Sequence, residues 1–308
     1  MNSQILRANA LLLLVAVIWG MTFVAQRVGM ADVGPFTFNF VRFSLGALLL
    51  APFAWRIRPG RLPVGWSLSS SGRRSVALPG SLLAGAFLFL GISLQQVGLV
   101  TTTAANGGFI TGLYVIIVPL IGAAFGMRTG AGVWIGALLG VAGLYLLSFS
   151  DTMHLARGDL WVFIGAFAWA GHVLMLGWLS PRIDSYVLAF GQALVCAVLS
   201  FAVAWTQEEI RLASILAAAL PILFCGVLST GVAYTLQVIA QKHSPPTHAA
   251  LIMQLETVFA ALSGWLLLGE TLSGRAMIGA GLILAGMLAA QFWNGALMES
   301  ESALEVDL

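Results

Sequence analysis

Apolar residues run along the chain in blocks of near twenty, separated by short polar stretches. Ten such segments can be delimited, at Ala8–Val28, Pro35–Trp55, Ser75–Val97, Thr102–Phe125, Ala131–Phe149, Asp159–Leu179, Asp184–Trp205, Ile215–Ala240, Thr247–Gly269 and Arg275–Phe292. About twenty residues of helix match a hydrocarbon core roughly 30 Å thick. The blocks are continuous, unlike the alternating ten-residue strands of a membrane barrel. The pattern predicts an all-α integral membrane protein with ten transmembrane helices. Segments four and five are parted only by GMRTG, and nine and ten only by ETLSG. The first segment reads as a span rather than a cleavable signal, being long and aromatic and ending without a small-residue cleavage site.

Composition agrees. Hydrophobic residues make up 59% of the 308 and charged residues 8%, against about 25% charged in soluble proteins. A net charge of +2 with no long basic run excludes a nucleic-acid partner. The partners implied are the lipid bilayer and a small-molecule substrate; monomer and homodimer stay open. Cys196 and Cys225 lie inside apolar blocks and read as small core residues. The loop with Arg56, Arg58, Arg61, Arg73 and Arg74 carries no acid, so the positive-inside rule makes it cytoplasmic. With ten spans both termini are then cytoplasmic, which fits a multi-pass protein of the inner (plasma) membrane.

The two halves resemble each other. An offset of 150 carries Trp19 to Trp169, Phe40 to Phe190 and Trp55 to Trp205; an offset of 142 carries Ser93–Gln95 (SLQ) to Thr235–Gln237 (TLQ). An offset of 143 carries Gly136–Gly143 (GALLGVAG) to Gly279–Gly286 (GAGLILAG). Chance matching in a small apolar alphabet is the alternative. A repeat of five helices, an odd number, enters the membrane the second time from the opposite side. The predicted organisation is a first five-helix repeat over residues 1–150, an inverted second over 151–293 and a hydrophilic tail over 294–308. Inverted repeats are characteristic of secondary transporters, with sites near the midplane. The tail reads as disordered, since MESESALEVDL carries four acids and no base.

Three stretches carry a family resemblance: VIWGMTFVAQRVG in the first span, GGFITGLYVIIVPLIGAAFGMRTG in the fourth, and ALIMQLETVFAALSGWLLLGETLS in the ninth. They resemble EamA-type members of the drug/metabolite transporter superfamily over residues 8–292. The resemblance implies ten helices in two inverted repeats and export of small metabolites. The branch it most resembles is the YddG-like aromatic amino-acid exporters. One departure stands out. The family's Glu-Pro in span nine is Glu256-Thr257 here, and the matching place in span four is Leu113-Tyr114. A proline kink is therefore not expected at that level, and Pro119, a turn and a half later, is the available substitute.

The site residues are those too polar or too deep for their place. Trp19 and Trp169 lie near mid-span and correspond under the repeat; they read either as packing or as aromatic walls of a central cavity. His172 shares a face with Trp169, one turn on, and reads as a substrate contact or a hydrogen bond between helices; Thr22 holds the matching place. Tyr114 ends a stripe with Thr103, Asn106, Gly107 and Ile110. The stripe reads as a substrate path or as hydrogen bonding between helices, and Gln95 and Tyr234 are further candidate substrate contacts of the same kind. Arg42, whose repeat mate is Gln192, either snorkels to the interface, binds an anion or pairs internally. Glu256, roughly 14 Å deep, cannot snorkel. It reads as a substrate-cavity acid, with a scaffold hydrogen bond favoured over proton coupling by the family resemblance. The glycine ridges Gly132, Gly136, Gly140 and Gly281, Ala285, Ala289 read as close helix packing.

No phosphate-binding loop, HExxH or nucleophile elbow is present, and the histidines His154, His172, His243 and His248 lack metal-ligand spacing. No cofactor or metal is expected and enzymatic chemistry is not. The function predicted is alternating-access export of small amphipathic metabolites, amino acids including aromatic ones. An intramembrane lipid-modifying enzyme would need clustered acids, whereas Arg42 and Glu256 are isolated. A passive channel is not separated from a carrier by sequence.

Overall fold

A computed structural model describes residues 3–56, 70–102, 104–127, 129–148, 157–269, 271 and 273–306. All regular elements among these residues are helical. In order they are α1 (Ser3–Gly29), α2 (Pro35–Arg56), α3 (Ser70–Leu99), α4 (Ala104–Gly112), α5 (Tyr114–Ala124), α6 (Ala131–Ser148), α7 (Arg157–Leu179), α8 (Ser185–Gln207), α9 (Leu212–Ala217), α10 (Ala219–Phe224), a π-helical stretch (Cys225–Ala233), α11 (Tyr234–Ala240), α12 (Pro246–Met253), α13 (Glu256–Leu268) and α14 (Gly274–Val306). Eight are long and apolar enough, alone or as collinear pieces, to cross a membrane. The remaining two expected spans are shorter apolar helices, at Ala131–Leu146 and Gly274–Ala290. Lipid offers no hydrogen bonds, so apolar chain crosses it as helix, which satisfies its own backbone.

Several features read from the sequence fall outside the described residues: Arg58, Arg61, Thr103 and His154, with the side chains of Arg73, Arg74 and Asn106. α14 continues into the hydrophilic C-terminal segment as far as Val306. The spacing of its residues is compatible with helix, and sparse hydrophobicity alone does not break one.

Two of the spans are broken where no proline stands. Between α4 and α5, Leu113 N donates to Ile110 O at 3.2 Å and Ile116 N to Leu113 O at 3.1 Å. Between α12 and α13, Leu255 N donates to Ile252 O at 3.1 Å and Thr257 N to Gln254 O at 3.1 Å. Tight i→i+3 turns of this kind interrupt the α ladder. The Thr257 hydroxyl also bonds Gln254 O at 2.9 Å. Leu113 and Leu255 are related by the offset of 142. No proline makes either break, and Pro119 sits inside α5 without ending it. A Thr hydroxyl bonding back to the turn can bend a helix as a proline does.

The packing pairs map onto one another when each span is exchanged with the span five further on. α1 packs on α13, and α7 on α4 and α5; α3 packs on α7, and α1 on α10, the π stretch and α11; α3 packs on α8, and α2 on the π stretch. Two further pairs, α2 with α8 and α6 with α14, map onto themselves. The last seam is made by the two glycine segments. A Cβ on Gly136 would lie 2.6 Å from Gly286 O, and one on Gly143 at 2.5 Å from Gly279 O. The close approach therefore uses Gly279 and Gly286; Gly281, expected on the ridge, has open space around it.

Helix ends differ between the halves. Asp184 caps α8 locally, accepting from Tyr186 N at 2.8 Å and Val187 N at 3.4 Å. The corresponding residue before α2 is Gly34, which has no side chain to offer. Glu208, at the far end of α8, fills its place: Oε1 accepts from Phe36 N at 2.9 Å, and Oε2 from Thr37 N and the Thr37 hydroxyl at 2.7 Å each.

Candidate functional site

A cavity lies where the broken helices meet α1, α3, α7 and the π stretch. Its space for the centres of water-sized molecules is about 50 Å³, several times the ~10–15 Å³ one water requires. Seven of the eight residues singled out from sequence line it: Trp19, Thr22, Gln95, Tyr114, Trp169, Tyr234 and Glu256. Their correspondence under the repeat extends to residues not singled out. Gln95 faces the same space as Gln237, Tyr114 as Glu256, and Thr111 as Met253, each pair 142 apart. Trp19 and Trp169, 150 apart, complete the set.

The aromatic groups form a chain of rings. Trp19 and Tyr234 are 4.9 Å apart between centroids, His172 meets Tyr234 edge-on at 6.2 Å, and Trp169 meets His172 edge-on at 6.0 Å. Trp169 reaches its place over Gly91, where a Cβ would lie 2.9 Å from the indole. The indole Nε1 groups of Trp19 and Trp169 have no hydrogen-bond partner among the described residues. A buried tryptophan usually spends its one donor, so two free N–H groups beside a cavity suit a polar ligand.

His172 is the exception among the expected residues. It does not line the cavity; it stands behind Trp169 and Tyr234, and its Nε2 lies 2.9 Å from Gln192 Oε1. With the amide oxygen accepting, the proton is on Nε2. The residue ties α7 to α8 and backs the aromatic wall, the structural one of its two readings. Thr22 donates to Ile18 O at 2.7 Å, and Gln95 Nε2 to the Thr111 hydroxyl at 3.2 Å. Both therefore face the cavity with part of their hydrogen-bonding capacity already used.

The breaks in the spans place the two strongest polar groups. Tyr114 opens α5 and Glu256 opens α13. A half-helix N-terminus carries partial positive charge, which favours a carboxylate beside it. Glu256 is 6% exposed, and among the described hydrogen bonds none ties its carboxyl to a neighbouring helix. Thr257 braces the break through Gln254 O, and Glu256 lines the cavity.

Arg42 also lines this space, 1% exposed, and does not snorkel. Its guanidinium lies 4.7 Å from the centre of the Phe43 ring and 5.8 Å from that of Phe38. Further lining residues that sequence reasoning left out include Gln26, Ser229 and Gln237. Gln237 was accessible from the matched SLQ and TLQ triplets. Ser229 was not, because it faces inward from a π turn that apolar patterning does not reveal.

The description EamA-like transporter family matches residues 6–149 and, a second time, residues 156–290. An Archaeoglobus fulgidus protein named only as an uncharacterized transporter is 33% identical over 276 residues, covering 87% of this chain and 80% of its own. The threonine/homoserine exporter RhtA of Salmonella typhimurium is 28% identical over 258 residues, 81% of this chain and 79% of its own. RhtA of Escherichia coli K12 is 27% identical over 277 residues, 87% and 84%. A solved crystal structure superposes with a TM-score of 0.74 at 20% identity, over 94% of this chain and 98% of that one, a likeness of fold alone. With its apolar helices, this is a multi-pass membrane protein similar throughout to transporters, and the chain belongs to the EamA-like transporter family.

Proposed function

We propose that the chain is a secondary transporter exporting small amphipathic metabolites, amino acids with aromatic ones among them, by alternating access around the cavity. The two halves are read as inverted five-helix repeats in the inner membrane, with both termini cytoplasmic. The observation that carries the reading is the cavity lined pairwise by corresponding positions of the two halves, Trp19 with Trp169, Gln95 with Gln237 and Tyr114 with Glu256. A site shared by two related halves can face either side when one half rocks against the other. Support for repetition also comes from the family description matching each half separately. Support for amino-acid cargo comes from the relatives named threonine/homoserine exporters. The ring chain of Trp19, Tyr234 and Trp169 favours adding aromatic side chains to that range.

The test is counterflow. Purified protein in liposomes loaded with one amino acid takes up labelled amino acids from a panel spanning threonine, homoserine, phenylalanine and tryptophan. Saturable uptake driven by the internal load is expected. Non-saturating flux with no dependence on the load would establish a channel, and no flux of any amino acid would remove this cargo class.

A further inference from the structure

The cavity contains a cation that the protein leaves incompletely answered. Arg42 is 1% exposed, yet Nε and Nη1 have no hydrogen-bond acceptor among the described residues. The rest of the group approaches the Cys225 thiol, and the rings of Phe43 and Phe38 lie against it. Aromatic faces offset part of the charge, but they do not take directed N–H bonds. A buried cation without an anion is costly in a membrane, and such residues are kept where they serve a pathway or ligand. The obvious internal partner would be Glu256, which faces the same cavity, but no described ion pair joins the two. Arg211 pairs with Glu209 in a surface contact elsewhere.

We infer that Arg42 is the anchor for a carboxylate on the transported molecule. Its place in α2 is fixed by close packing of the π stretch. Gly226, at the start of the π stretch, sits close enough that a Cβ there would lie 3.0 Å from Arg42 O. The π stretch thereby lies against the Arg42 backbone, and π turns are frequent at functional sites. The corresponding position in the other half is Gln192, engaged with His172, so the cation stands on one side of an otherwise paired cavity. A molecule bound there with its carboxylate at Arg42 is held by one end in the cavity that Trp19, Trp169 and Tyr234 also line. The anchor thus selects acids over the matching amides and amines. The inference rests on the cavity being the transport site of the reading above.

The test begins on the unaltered protein. In counterflow, phenylalanine should be taken up, and phenylalaninamide and phenylethylamine should compete at least tenfold more weakly. Arg42→Gln should raise the apparent KM for phenylalanine and threonine tenfold or more, and Arg42→Lys by less. Equal competition by acid and amide, or an unchanged KM in a folded Arg42→Gln protein, overturns the assignment. The ligand comparison decides the matter even where both variants fail to fold. A second readout is independent of transport: 3-phenylpropionate should raise the thermal midpoint of the detergent-purified protein, and 3-phenylpropionamide should not. Arg42-dependent binding of the acid without amino-acid flux would refute the transport reading alone. Amino-acid flux without any preference for a carboxylate would refute the anchor alone.

Discussion

Trp19 of α1 and Tyr234 of α11 stand ring to ring, 4.9 Å between centroids and tilted by 54°. The contact joins the two halves of the chain at the cavity wall, and the indole N–H beside it is unspent. A flat hydrophobic surface with a free donor suits an aromatic cargo better than an aliphatic one.

Replacing Trp19 or Trp169 by alanine should therefore weaken aromatic amino acids more than threonine. Ring pairs contribute about 0.5–1.5 kcal/mol beyond burial, which corresponds to roughly two- to twelvefold in apparent affinity. Concentration dependence of counterflow measures it. Equal losses for all cargoes would assign both tryptophans to packing.

Glu256→Gln should fold normally, because its carboxyl holds no neighbouring helix. The same change should raise the KM for amino acids roughly ten- to a hundredfold or more, since a hydrogen bond to a charged ammonium contributes about 1.5–3 kcal/mol. Elution profile and thermal midpoint report the first effect and counterflow the second. A Glu256→Gln protein that unfolds would return this acid to a scaffold role.

Glu208→Ala removes the acceptors from three donors at the start of α2 and should cost about 1–2 kcal/mol, in line with loss of a helix cap. The second half suggests the rescue. Gly34→Asp, placed in the Glu208→Ala background, supplies a cap of the kind Asp184 makes for α8, and should recover much of the thermal midpoint. In the unaltered background the same aspartate should destabilise, as its Cβ would overlap the Glu208 carboxylate.

Gly136→Val should lower the thermal midpoint markedly, because a Cβ there meets the Gly286 carbonyl at 2.6 Å and backbone cannot give way. Overpacking of this kind costs about 1–3 kcal/mol. Gly281→Ala, with open space around it, should be neutral. Comparable losses at both sites would remove the glycine seam from the account.

Much of the architecture is written in hydrophobic runs, since a bilayer imposes length and apolarity on whatever crosses it. Trp19, Trp169, Tyr114 and Glu256, which line the cavity, stood out in the sequence for the same reason: polar or bulky groups are costly at that depth. The breaks at Leu113 and Leu255 were not legible, because proline was the expected signal and the observed turns use backbone i→i+3 bonds and a threonine hydroxyl. Arg42 stood out in sequence, but its burial depends on how α2 packs on α8 and the π stretch, which no local pattern encodes. His172 was read as facing either way; the Gln192 amide, twenty residues on, decides it.

The cap on α2 also bears on when the protein becomes complete. Glu208 lies 171 residues after Thr37, which at about 5–20 residues per second is a synthesis delay of roughly 10–35 s. During that interval α2 is made but its first turn lacks its permanent acceptor, so the N-terminal half waits in the membrane for the end of α8. A ribosome stalled within that window would leave a half-protein with a frayed helix start, exposed to quality control until the second half arrives.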